Sequence, residues 1–67
     1  MYKSKKLIRL KQVTDLTGKS RSAVYRDMAA GDFPANIRTG ENTVAWLESD
    51  VIDWINQRIA ESKGDAA

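Results

Sequence analysis

Cysteine and histidine are absent from this 67-residue chain, and proline occurs once, at Pro34. Without cysteine there is no disulfide staple and no thiolate zinc site. Without histidine the commonest metal ligand and the commonest general base are missing. Such a composition is compatible with a reducing compartment. Long apolar runs are missing too: the longest extend three or four residues, such as Val44 to Leu47, against the roughly 20 that a helical membrane span needs. The basic start is followed only by Leu7-Ile8 before Arg9, too little for the apolar core of a signal peptide. With 42% hydrophobic residues the chain is nonetheless too apolar for a disordered basic tail. Its length allows one small domain, which buries only about 60% of the surface of the unfolded chain, so marginal stability is expected.

The net charge of +2 conceals an uneven division. Up to Gly40, nine basic residues stand against Asp15, Asp27 and Asp32, a balance of +6; from Glu41 onward Arg58 and Lys63 stand against six acidic residues, a balance of −4. An asymmetry of this kind points to one face for an anionic partner, nucleic acid or an anionic membrane.

Residues 1–6 (MYKSKK) are expected to form a flexible basic arm and residues 62–67 (SKGDAA) a flexible tail, around a single domain at 7–61. Leu7 and Ile8 begin a short extended or turn segment. A first helix is expected from Leu10 to Thr17, with Leu10, Val13 and Thr17 or Leu16 as its buried stripe. Gly18 suits the left-handed residue that ends it, and Ser20 suits the N-cap of a second helix running from Arg21 to about Ala30, with Gly31 as its stop. The intervening Gly18-Lys19-Ser20 has helix-turn-helix spacing. On a wheel of about 100° per residue, Val24 and Met28 face inward while Ser22 and Arg26 face out beside small Ala29 and Ala30. Phe33-Pro34 then forces an extended path. Asn36-Ile37-Arg38 and Thr43-Val44-Ala45-Trp46 alternate polar with apolar around Thr39-Gly40-Glu41-Asn42, as in a short β-hairpin. Two strands alone are marginal, so Ile37, Val44 and Trp46 must lie on the helices. A third helix is expected to start at Ser49 as N-cap, with Asp50 and Asp53 in its first turn and Val51, Ile52, Trp54, Ile55 and Ile59 supplying half the core. Asp53, Asn56, Gln57 and Ala60 take its outer side.

Two helices across a tight turn, then a hairpin and a closing helix, form a winged helix-turn-helix pattern: a mainly α fold with a small β-hairpin. Leu7 to Val13, Thr17 to Arg26, Gly31-Asp32-Phe33-Pro34, and Val44 to Val51 with Trp54-Ile55 together resemble the AlpA family of prophage regulatory proteins. These are relatives of phage excisionases and of the DNA-binding half of MerR-type regulators. The resemblance covers about residues 7–59. It implies a DNA-binding protein of a prophage or integrated element, acting on transcription, often of an integrase gene, or as an excisionase-type directionality factor in recombination. The second helix would enter the major groove and the wing would reach the backbone beside it. Carried over by position, Ser20, Arg21, Ser22, Tyr25 and Arg26 fall on the recognition helix and Arg38 on the basic wing strand. Glu41-Asn42 departs from the family at the wing tip, where members often carry a basic residue, leaving Arg38 as the main wing candidate.

The chemistry of these residues fits such roles. Arginine bonds guanine O6 and N7 bidentately, and Arg26, mid-helix and outward, is the first choice for a base contact. Arg21 suits a base edge or a phosphate. Ser20 and Ser22 suit a phosphate at a helix N-terminus, Ser20 also being the cap. Lys3, Lys5, Lys6, Arg9, Lys11 and Lys19 would add nonspecific attraction through counterion release. Tyr25, at the border of the buried sector, is either core or contact; Trp46 and Trp54 read as core packing rather than a ligand cage. Double-stranded DNA is the expected partner, with integrase or further copies on adjacent sites beside it, in the bacterial cytoplasm at the nucleoid. No cofactor, metal, small-molecule ligand or membrane is expected. Enzymatic activity is not expected either, since no carboxylate pair sits among pocket-forming apolar residues. The rival function is a protein-interaction module that inhibits or tethers an integrase or regulator, favoured by the acidic outer side of the third helix.

Overall fold

In the computed structural model, which describes residues 5–66, the chain runs β1 (Leu7–Ile8), α1 (Leu10–Thr17), α2 (Arg21–Ala29), β2 (Ile37–Arg38), β3 (Val44–Leu47) and α3 (Glu48–Ala66). Lys3 and the rest of residues 1–4, most of the expected arm, lie outside the described residues.

Local chemistry sets the helix ends. The Arg9 N–H donates to the Gln12 side-chain oxygen at 3.0 Å as α1 begins. Gly18, at φ 74°, ends α1 with its N–H on the Thr14 carbonyl at 2.8 Å. Ser20 caps α2, its hydroxyl oxygen accepting the Ala23 N–H at 3.1 Å. At the other end of α2 the Gly31 N–H reaches the Met28 carbonyl and the Asp32 N–H reaches that of Asp27, with Gly31 at φ 81°. This is the paired-bond motif in which a left-handed residue satisfies orphan carbonyls. A Cβ on Gly31 would meet nothing within 4 Å, so its substitution tests the backbone conformation alone. Gly31→Ala is expected to lower the unfolding free energy by about 1–2 kcal/mol, read from urea denaturation, with the fold retained.

Leu7-Ile8, read only as an extended lead-in, is a strand. It pairs antiparallel with β3 in the register Leu7 to Leu47 and Ile8 to Trp46, while β2 pairs on the other edge, Ile37 to Ala45 and Arg38 to Val44. The expected hairpin is thus two strands of a three-stranded antiparallel sheet in the order β1-β3-β2. The third strand covers one edge of β3, and Ile8 joins Val13, Val24, Phe33, Trp46 and Val51 in the buried core.

Of the two alternatives for the α1 stripe, Leu16 is exposed and Thr17 is half-buried. Its hydroxyl is consumed locally, donating to the Val13 carbonyl at 2.7 Å and accepting the Lys19 N–H at 3.2 Å. Helix α3 supplies less than half the core: Val51 is fully buried, Trp54 and Ile55 pack partly, and Ile52 and Ile59 remain exposed. Its start also differs. Strand β3 passes straight into α3 at Glu48, whose N–H donates to the Lys6 carbonyl at 2.8 Å. A bond to the Lys6 carbonyl just before β1 replaces the side-chain cap, so Ser49 lies inside the helix, and the first-turn acids are Glu48 and Asp50 rather than Asp50 and Asp53. The segment from Ser62, expected to be a tail, continues α3 to Ala66.

Candidate nucleic-acid interface

Burial of Val24 and Met28 fixes how α2 rolls on the core and therefore what it presents outward. Ser20, Arg21, Ser22 and Arg26 are exposed along this helix, with Ala29 and Ala30 adding no bulk beside them. Arg21 has no ion-pair or hydrogen-bond partner among the described residues.

The two flanks of α2 are anchored differently. On one, Tyr25 sets its ring edge-on to buried Trp46, with centroids 6.2 Å apart and planes at 69°, yet keeps 38% of its surface exposed. The ring therefore supports the core and also faces solvent. Beyond it an open groove separates α2 from the wing, lined by Tyr25, Asn36, Arg38, Glu41, Thr43 and Val44. Asn36 and Thr43 are polar positions there that the charge pattern does not single out. Arg38 does not extend freely. Its Nη2 donates to the Glu41 carbonyl at 3.0 Å, holding the guanidinium against the wing turn. The Thr39 N–H on the Thr43 carbonyl at 3.0 Å closes the same turn.

On the other flank Lys19 turns inward. Its ammonium forms an ion pair with Asp27 and lies 5.3 Å from the ring centre of Trp54, both members of the pair being largely shielded. The Trp54 Nε1 donates to the Asp32 carbonyl at 2.7 Å, and Phe33 packs edge-on against the same indole. Lys19 thus joins the turn, α2 and α3, and is not gathered onto the face that carries Ser22 and Arg26. Arg26 lies between the two sets: its Nε is 3.4 Å from the Asp27 carboxylate while its side chain is 74% exposed.

Asp27 is held below the ordinary carboxylate range first by the hydrogen bond from Lys19, against a smaller opposing effect of burial, with the Lys19 and Arg26 charges acting in the same downward direction. A depressed folded-state pKa contributes stability above the unfolded value and loses it as pH falls through the folded one. Acidification below about pH 4, the ordinary range of an aspartate, is therefore expected to destabilise the fold. In Asp27→Asn this part of the loss should disappear from a series of thermal melts between about pH 5 and pH 2; an unchanged acid limb would remove Asp27 from the account.

Among the described residues no helix is long and apolar enough to cross a membrane. A family model described as Prophage CP4-57 regulatory protein (AlpA) matches residues 6–59. The chain is also 40% identical over 58 residues to "Uncharacterized protein ORF88" of Enterobacteria phage P4, an overlap of 87% of this chain and 66% of that relative. The chain therefore spans just under two thirds of its phage relative. A match along nearly all of the helix-turn-helix, wing and closing helix shows the lineage: this chain belongs to the AlpA family of prophage regulatory proteins.

Proposed function

We propose that the chain is a sequence-specific DNA-binding regulator of a prophage or integrated element, with α2 in the major groove and the wing on the backbone. The observation that carries this is the outward face of α2. There Arg21, Ser22 and Arg26 stand exposed beside small alanines, and the carboxylate beside Arg26, Asp27, is paired with Lys19. In this reading Arg26 contacts a base edge, Arg21 a base or phosphate, and Ser20 and Ser22 a phosphate near the free N–H groups of the helix start. Tyr25 and Arg38 border the groove between helix and wing, where a backbone strand fits, and Lys19 acts by fixing the turn. Lys5, Lys6, Arg9 and Lys11 add charge without sequence preference. The site of action is the bacterial nucleoid, in the cytoplasm.

Family membership supports regulation, and the α2 face supports DNA as its target. Footprinting on DNA surrounding the chain's own gene tests this. A protected promoter would support a transcriptional role and a protected attachment site an excisionase-type role, in which integrase would be a partner. Affinity is expected to fall steeply between about 50 and 200 mM salt, as for proteins contacting several phosphates. No retardation of any of this DNA at low salt, with salt-insensitive binding to another protein, would instead select an interaction module.

A further inference from the structure

One flank of α3 carries Glu48, Ile52, Ile55, Asn56, Ile59 and Lys63 in one stripe, with Ile55 partly packed on the core. At about 100° per residue they fall within a sector of roughly 100°, beside the side that carries Trp54, which faces Phe33 and the end of α2. Isolated exposed apolar residues are ordinary, but these are not isolated. Ile52 is 41% and Ile59 46% exposed, and Leu16, 47% exposed, lines a groove along the edge of the stripe together with Trp54, Ile55, Ile59 and Lys63.

This stripe has the same pattern when turned end for end. About the midpoint between Ile55 and Asn56, Ile52 exchanges with Ile59 and Glu48 exchanges with Lys63. We propose that α3 docks against α3 of a second copy, antiparallel about a two-fold axis, setting Ile52 against Ile59 and Glu48 against Lys63 twice over. A two-fold contact requires a surface complementary to itself, and this stripe satisfies the requirement in apolar and charged positions at once. Parallel pairing would set Glu48 on Glu48 and Lys63 on Lys63, which repel. Glu48 already has the Lys6 ammonium at 3.7 Å but is still 28% exposed, leaving room for a second cation. The stripe is about 22 Å long at 1.5 Å per residue and about 10 Å wide, roughly 220 Å², short of the roughly 800 Å² per partner of a standard interface. Pairing is consequently weak in dilute solution and is favoured where two copies are held close together.

The absence of cysteine makes a direct test available. Asn56→Cys places one thiol beside the proposed axis, whereas Gln57→Cys places it about 100° around the helix. Each full chain is oxidised without DNA, so the outcome does not depend on the DNA-binding proposal. A disulfide needs Cα atoms within about 7 Å, so covalent dimer is expected to accumulate roughly tenfold faster for Asn56→Cys. Adding Lys63→Glu should slow that cross-linking by about tenfold through two lost pairs, and adding Glu48→Lys as well should restore it. Circular dichroism melts establish that each variant is folded. Equal cross-linking at 56 and 57, or no restoration in a folded double reversal, would overturn the pairing and assign the stripe to a different protein or to none.

Discussion

Replacing Arg26 with alanine is expected to erase preference for the specific site while leaving the fold intact. The side chain is 74% exposed, and its Nε lies 3.4 Å from the Asp27 carboxylate. An exposed pair of that kind is worth about 0–1 kcal/mol, and Asp27 retains its stronger partner, Lys19. The melting temperature should therefore barely move. Loss of a bidentate guanine contact costs about 1–3 kcal/mol of discrimination, which is roughly 5- to 150-fold in relative affinity. Fluorescence anisotropy against specific and scrambled duplexes reads this ratio directly. An Arg26→Ala protein that kept the wild-type ratio would show that base recognition lies elsewhere.

The largest loss of stability is expected at Trp46. It is fully buried in the central strand, opposite Ile8, with Tyr25 edge-on to its ring and Val13, Val24, Phe33 and Val51 in the same cluster. Truncating a buried tryptophan to alanine costs about 3–5 kcal/mol, because the cavity adds to the lost transfer energy. At about 0.05–0.15 kcal/mol per residue a domain this small holds only roughly 3–10 kcal/mol. Trp46→Ala should therefore be largely unfolded or melt far below the wild type in circular dichroism, and DNA binding should vanish with the fold. A cooperative melt near the wild-type temperature would mean that the sheet does not organise the core as described. The contrast with Arg26 separates the two ways binding can be lost, through the surface proposed to touch DNA and through the core that orients it.

What the sequence disclosed and what it concealed divide by the range of the interactions. Gly18, Ser20 and Gly31 act on their own neighbours through backbone conformation and capping bonds, so the ends of α1 and α2 could be read from residue types alone. The inward roll of α2 followed from Val24 and Met28 for the same reason. Strand β1 could not be found that way. Two residues carry no period, and what makes them a strand is pairing with Trp46 and Leu47, far along the chain. The start of α3 was displaced by the same pairing, since the Lys6 carbonyl takes the Glu48 N–H where a serine cap was expected.

The interface shows a similar split. Arg21, Ser22 and Arg26 were placed outward by helical periodicity, and they are exposed. Lys19 was read as a DNA-attracting cation, and nothing local marks its pairing with Asp27 and Trp54, both brought to it by tertiary packing. The same packing creates the groove between Tyr25 and the wing, so the positions of Asn36 and Thr43 on it could not be read from the strand pattern. Lys19 is thus paired with Asp27 beside Trp54, and the exposed cations of α2 are Arg21 and Arg26.

The most direct test of the central claim is a backbone amide NMR titration with a duplex drawn from the footprinted region. Shift changes and line broadening are expected to concentrate on Ser20 to Arg26 and around Arg38, with the outer face of α3 little affected. Perturbations confined to α3 and Leu16, with α2 unmoved at saturating DNA, would contradict the account.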